Sequence, residues 1–196
     1  MNCPSVSRET SERLAIYFAL LKKWQRTVNL VSEATLDDGW FRHVIDSLQL
    51  INHAPEKKRW VDIGSGGGLP GIPIAIGLTR ANALVHLVER DARKCVFLRE
   101  AIRETGAAAV VHHGDAIDVL PRIDRIDVVT ARAVSQLERL IELAQPALKI
   151  GAIGLFLKGQ HVGAELTCAP IFSNVNVELL PSVTGGGAVV RVVSRL

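Results

Sequence analysis

Cysteine is scarce: Cys3, Cys95 and Cys168 are too few and too scattered for a disulfide framework or a tetrahedral metal site. No run of about 18 apolar residues occurs, so no membrane-spanning helix is expected. The opening MNCPSVSRETSERL has no apolar h-region, and no secretion signal is expected there. Internal repeats and low-complexity tracts are missing too, which excludes collagen-like and other repetitive architectures. Neither sign of charge dominates: 23 Lys and Arg stand against 20 Asp and Glu, and the net charge of +3 permits a polyanionic partner without requiring one. With 196 residues, 48% hydrophobic and 22% charged, the chain fits one ordinary globular domain. It is expected in the cytoplasm, with neither membrane nor metal among its partners.

The first third of the chain reads as helical. Leu14, Tyr17, Leu21, Trp24 and Val28 recur at steps of three and four, one stripe of an amphipathic helix from Ser7 to about Val31. Ser7 is the expected N-cap, with Glu9 and Glu12 near the positive end of the helix dipole. A second helix is expected from about Asp37 to His53, with Phe41, Val44, Ile45, Leu48 and Ile51 inward. No strand lies nearby in sequence, so residues 1–55 read as a helical cap on a second part, residues 56–196, the two forming one structural unit.

From Arg59 onward short apolar runs alternate with helical stretches: WVDIG, ALVHLVE, AAVVHH, IDVVTA and AIGLFLK, each but the last followed by a helix. That alternation predicts an α/β fold with a parallel sheet covered on both faces. The ending differs. VNVELLPSV and AVVRVVSRL are separated only by Thr184-Gly185-Gly186-Gly187, too short for a crossover helix, so these two strands are expected to be antiparallel.

The strongest local pattern is Val61-Asp62-Ile63-Gly64-Ser65-Gly66-Gly67-Gly68-Leu69-Pro70-Gly71, which ends the first strand and opens a helix. Glycines at 64, 66 and 68 let the backbone turn sharply and let a ligand approach without meeting a Cβ. Glu89 ends the next strand 21 residues beyond Gly68, close to the spacing at which an acid meets a ribose diol. Alone, Glu89 reads equally well as a solvated strand terminus; with the loop, binding is favoured. The pattern is not the dinucleotide G-x-G-x-x-G/A, because the third small position falls on bulky Leu69, and no Gly-Lys-Ser/Thr makes it a Walker loop. G-x-G-x-G instead resembles the first motif of class I S-adenosylmethionine-dependent methyltransferases, in which an acid placed like Asp62 helps orient the methionine end. That resemblance implies a Rossmann-like, mostly parallel seven-stranded sheet with an antiparallel C-terminal strand.

Two further strand ends belong to the same edge. Asp115 either accepts from an adenine amino group or caps a helix, and Arg132 either contacts cofactor or substrate or makes a surface salt bridge. In the second helix His43, Asp46 and Ser47 share a face; with Arg42 they either close over the pocket or form an internal cluster joining cap to core. Lys158, at another strand end, either meets phosphate or a guanine O6 or is solvated. Lys22, Lys23, Arg26 and the 57–59 cluster either grip phosphates or form solvated faces, Trp24 and Trp40 read as core rather than as base-stacking platforms, and Cys95 and Cys168 as structural.

Taken together, SRETSERLAIYFALLKKWQRTVNLVS, WFRHVIDSL, DIGSGGGLPGIPIAI, LVERDARKCVFLRE, DVVTARAV and LFLKG resemble the bacterial glucose-inhibited division protein B family, which methylates guanine N7 in 16S ribosomal RNA. The resemblance implies S-adenosyl-L-methionine as cofactor, S-adenosyl-L-homocysteine as product, the small-subunit ribosomal RNA or the small subunit as partner, and a monomer. It places cofactor contacts on Gly64, Leu69, Glu89, Ala116, Ile117 and Arg132, to which the loop and strand ends add Asp62, Gly66, Gly68 and Asp115. Arg132, His43 and Lys158 are the candidate catalytic residues, and Arg42, His43, Asp46, Ser47 and Lys158 the candidate substrate contacts. The family commonly has Arg and Glu flanking the alanine after the third strand; Asp115 and Ile117 stand there instead, which limits contact to Asp115 or backbone groups. Alternatives of other kinds are a methyltransferase of this fold acting on a small molecule or protein, and a non-catalytic ribosome-associated RNA-binding module.

Overall fold

The computed structural model describes residues 6–32, 40–132, 135–160, 162–165, 173–185 and 187–195. Ser7 accepts a hydrogen bond from the Thr10 amide (3.2 Å) and starts helix α1, Arg8–Gln25. Its stripe is buried at Leu14, Tyr17 and Leu21, and Lys22 and Lys23 occupy the last turn, where the helix dipole favours cations. The second helical segment differs from expectation. Its described part begins with a π-helical turn, Trp40–Ile45, and becomes α-helical only over Asp46–Asn52 (α2); Asp37–Gly39 lie outside the described residues. At the junction the Ser47 hydroxyl donates to the His43 carbonyl (2.5 Å), a side-chain competitor for the regular helical ladder.

The α/β part follows the expected alternation. Strands β1 (Arg59–Ile63), β2 (Leu84–Glu89), β3 (Ala109–His113), β4 (Val128–Arg132) and β5 (Ile153–Gly159) are parallel. Between them lie α3 (Gly71–Gly77), α4 (Ala92–Thr105), α5 (Ala116–Val119) and α6 (Leu137–Lys149). A short α7 (Val162–Glu165) follows β5. Asp91 caps α4 by accepting from the Arg93 and Lys94 amides, and Asp115 caps α5 by accepting from the Ile117 amide, which bears out the capping reading of Asp115. The last strands, β6 (Val175–Pro181) and β7 (Gly187–Ser194), are antiparallel, and β7 inserts antiparallel between β5 and β6. The strand order is β3-β2-β1-β4-β5-β7-β6.

Two apolar clusters cover the two faces of the sheet. One joins Leu14, Tyr17 and Leu21 of α1 to α3, α4 and Trp60; the other joins Leu137, Leu140 and Ile141 of α6 to Val61, Val129 and Phe156. Burial on both faces is why the inner strands β1, β4 and β5 read as continuous apolar runs, whereas β3, at the sheet edge, is only partly buried. The order reverses between β1 and β4, so the carboxyl ends of β1, β2 and β4 meet at the switch point where open α/β sheets bind ligands.

Candidate active site

The loop leaving β1 turns three times through left-handed backbone, at Gly64 (φ 63°), Gly66 (φ 54°) and Gly68 (φ 83°), conformations that side chains with a Cβ rarely adopt. The Gly66 amide donates to Glu89 Oε2 (2.8 Å), and the Asp91 amide donates to Glu89 Oε1 (2.8 Å). One carboxylate therefore ties the end of β2 to the glycine loop and to the start of α4. Each oxygen accepts one of these bonds and has capacity for another acceptor contact. From the cap, the Tyr17 hydroxyl donates to the Gly67 carbonyl (2.6 Å), and a Cβ on Gly67 would sit 3.2 Å from Leu21. The loop is thus gripped from below by α1.

Asp62 lies beneath the loop rather than on the cavity wall. It is fully buried, with Thr130 Oγ1 donating to Oδ1 (3.0 Å) and the Gly71 amide to Oδ2 (3.3 Å). Burial pushes its carboxyl up to about 7, against the lowering effect of hydrogen bonds from Ser65, Thr130 and Gly71. The folded protein keeps this proton up to about pH 7, whereas the unfolded chain releases it near 3.8. The contribution to stability is therefore complete below about pH 4 and is lost as pH rises to 7, a difference on the order of 4 kcal/mol. Asp62→Asn is expected to flatten the fall in Tm between pH 4 and 7; an unchanged slope contradicts this.

A cavity of about 640 Å³ opens above the loop, within the range of cofactor sites. Its floor is Gly64–Gly67 and Leu69, with Glu89 beside it; Asp115, Ala116 and Leu143 line one side. Arg132 and Ser135 line it beyond β4, and Leu30, Val31, Ser32 and His43 close it from the N-terminal segment. Arg90, Lys94 and Arg139 add positive charge around it. Arg132, its side chain 20% exposed, has Nη1 3.7 Å from Asp46 Oδ2, so the strand-end cation is paired across to the cap. The other oxygen, Asp46 Oδ1, accepts from Ser182 (2.5 Å), Thr184 (3.2 Å) and Gln49 (2.5 Å). The turn between β6 and β7 thereby fixes the carboxylate that faces Arg132.

The profile of the GidB family, described as rRNA small subunit methyltransferase G, matches residues 10–187. The chain belongs to the GidB family. A curated relative, the Ribosomal RNA small subunit methyltransferase G of Bradyrhizobium sp. strain BTAi1, is 51% identical over 183 residues, covering 92% of this chain and 82% of that protein. Among solved structures, the O-methyltransferase TomG from Streptomyces achromogenes in complex with SAM matches with a TM-score of 0.60 at 16% identity, covering 98% and 92% of the two chains. The SAH-bound methyltransferase PaMTH1 from Podospora anserina matches with a TM-score of 0.59 at 15% identity over the full length of both. These two likenesses establish a class I methyltransferase fold.

Within this GidB fold, Gly64, Gly66, Leu69, Glu89, Asp115, Ala116, Arg132 and His43 meet at the cavity. Gly68 lies under the loop, where a Cβ would meet Ile72 Cγ1 at 2.6 Å. Ile117 is 59% exposed and away from the cavity wall, and its amide is taken by Asp115. Asp46 and Ser47 face inward, the buried Ser47 bonded to the His43 carbonyl, so the internal-cluster reading of that helix describes them. Lys158 also stands off the cavity, with Nζ donating to the Ser135 carbonyl (2.9 Å), and the side chain of Arg42 lies outside the described residues. Cys95 is buried, in keeping with a structural role, while Cys3 and Cys168 lie outside the described residues.

Several participants escaped the sequence patterns. Tyr17 read as one more apolar stripe residue, although the only tyrosine of the chain, buried, had to place its hydroxyl somewhere. Gln25 accepts from the Leu30 and Val31 amides and donates to the Val31 carbonyl, shaping the segment that closes the cavity. The Ser182–Thr184 turn has no local signal at all, because its partner Asp46 is 136 residues away.

Proposed function

We propose that this chain transfers a methyl group from S-adenosylmethionine to N7 of a guanine in 16S ribosomal RNA, acting as a cytoplasmic monomer. The observation that carries the reading is the glycine loop locked to the Glu89 carboxylate at the switch point of a methyltransferase sheet in a GidB-family chain. The residues present suit the cofactor. Glu89 offers carboxylate oxygens to a ribose diol, the glycine backbone at Gly64, Gly66 and Gly67 admits a close ligand, and Ala116 and Leu143 give apolar lining with Asp115 beside it. Ile117 lends at most its backbone, and Asp62 and Gly68 hold the loop in shape from beneath.

When bound, S-adenosylmethionine supplies a methyl group on an electrophilic sulfonium. Guanine N7 carries an in-plane lone pair and needs no proton removed, so the chain's task is alignment and charge management. His43, from the cap, and Arg132, from β4, border the space available to an acceptor base. Asp46 sets the direction of Arg132, and Ser47 braces the backbone at His43. Lys158 fixes the Ser135 carbonyl, and with it that part of the wall. Arg42 remains a candidate substrate contact.

The test is mass mapping of methylated guanines in ribosomal RNA from cells with and without the gene. One N7-methylguanine of the small-subunit RNA is expected to disappear without it. An unchanged small-subunit map contradicts the proposal.

A further inference from the structure

The segment from Arg13 to Ser32 carries four cations, Arg13, Lys22, Lys23 and Arg26, and no acidic residue. Arg13 pairs with Glu9, but among the described residues Lys22, Lys23 and Arg26 have no carboxylate within 4 Å. Lys23 lies close enough to Glu100 to help lower that carboxyl, yet Glu100 pairs with Arg103. Beside Lys22 stands an aromatic pair. Trp40 meets Phe18 edge to face, with ring centroids 5.9 Å apart at 84°, and Lys22 Nζ lies 4.8 Å from the centre of the Phe18 ring. Trp40 corrects the expectation of a core residue: it remains 37% exposed, whereas Trp60 is fully buried and Trp24 packs against Phe97.

The location ties this face to the cavity. Trp40 precedes cavity-lining His43 by three residues within one helical turn, and Phe18 follows Tyr17, whose hydroxyl holds the loop. Gln25, between Lys23 and Arg26, clamps the cavity-lining Leu30 and Val31. An exposed aromatic beside a lysine that pairs with no carboxylate among the described residues matches single-stranded RNA, whose bases offer flat faces and whose phosphates offer charge. We propose that Phe18 and Trp40, with Lys22, Lys23 and Arg26, form an RNA-docking face beside the cavity. There Trp40 stacks on a base neighbouring the target guanine and the three cations take the phosphates. This deepens the function proposed above and rests on it.

The test combines turnover with binding. In methylation of small subunits, Trp40→Ala is expected to raise KM about tenfold, the scale of one lost stacked base, with kcat within twofold and S-adenosylmethionine affinity unchanged. Trp40→Phe is expected to recover most of the loss. Binding of protein-free small-subunit RNA, followed by tryptophan fluorescence, is expected to quench wild type more than Trp40→Phe. Replacing Lys22, Lys23 and Arg26 with Ala is expected to reduce the slope of log affinity against log salt by about two. An unchanged KM in Trp40→Ala, or equal quenching in wild type and Trp40→Phe, overturns the docking face. So does weakened binding to subunits with unchanged binding to protein-free RNA, which assigns the face to a ribosomal protein. If Trp40→Ala fails to fold, the quenching comparison and the salt slope decide. Quenching by RNA without methyl transfer supports the docking face and overturns the proposed reaction instead.

Discussion

Glu89→Ala is expected to lower S-adenosylmethionine affinity about a hundredfold or more in calorimetry. The carboxylate holds the Gly66 and Asp91 amides at 2.8 Å each, and hydrogen bonds to a charged group are worth about 1.5–3 kcal/mol apiece. Its removal takes away the proposed ribose acceptors and releases the loop that forms the cavity floor. A factor of a hundred corresponds to about 2.8 kcal/mol, less than two such bonds. The fold is expected to survive, because β2 remains paired on both sides by β1 and β3. A variant that stays folded and binds the cofactor as tightly as wild type contradicts the assignment of Glu89.

Gly71→Val is expected to damage the fold itself. A Cβ at Gly71 would sit 2.3 Å from Leu87 Cδ2 and 2.8 Å from Asp62 Oδ2, and both of those side chains are fully buried. Neither has solvent to move into. Overpacking a core costs about 1–3 kcal/mol and displacing a buried hydrogen-bonded carboxyl costs a similar amount. For a chain of this length, about 3 kcal/mol lowers Tm by roughly 6–12 °C. Cofactor binding is expected to fall with it, since Asp62 joins β1, β4 and the start of α3 beneath the glycine loop. A variant with the wild-type Tm contradicts the close packing of α3 on the sheet.

Comparison of single elements shows how much of this was legible in the sequence. Inner strands buried on both faces announce themselves as apolar runs, so β1, β2, β4 and β5 were readable; the edge strand β3 was readable from its short valine-rich run between helices, the antiparallel end from its short connection, and the caps from Ser7 and Asp115. The glycine loop and Glu89 were readable because backbone conformation and an acid at a strand end are local properties. The depth of Asp62 was not readable in the same way. Strand alternation puts neighbouring residues on opposite faces, but the sharp bend at Gly64 decides which residues surface, and Asp62 ends below the loop. The π-helical turn at Trp40–Ile45 left no mark on the periodicity. Contacts such as Tyr17 to Gly67, or Ser182 to Asp46, depend on chain segments that only folding brings together.

The central claim, that the cavity above the glycine loop holds S-adenosylmethionine through Glu89, is tested most directly by a crystal structure determined with that nucleoside. The expected result is density on Gly64–Gly67 with the ribose hydroxyls hydrogen-bonded to Glu89. An empty cavity at saturating nucleoside, or a bound nucleoside with its ribose turned away from Glu89, would contradict it.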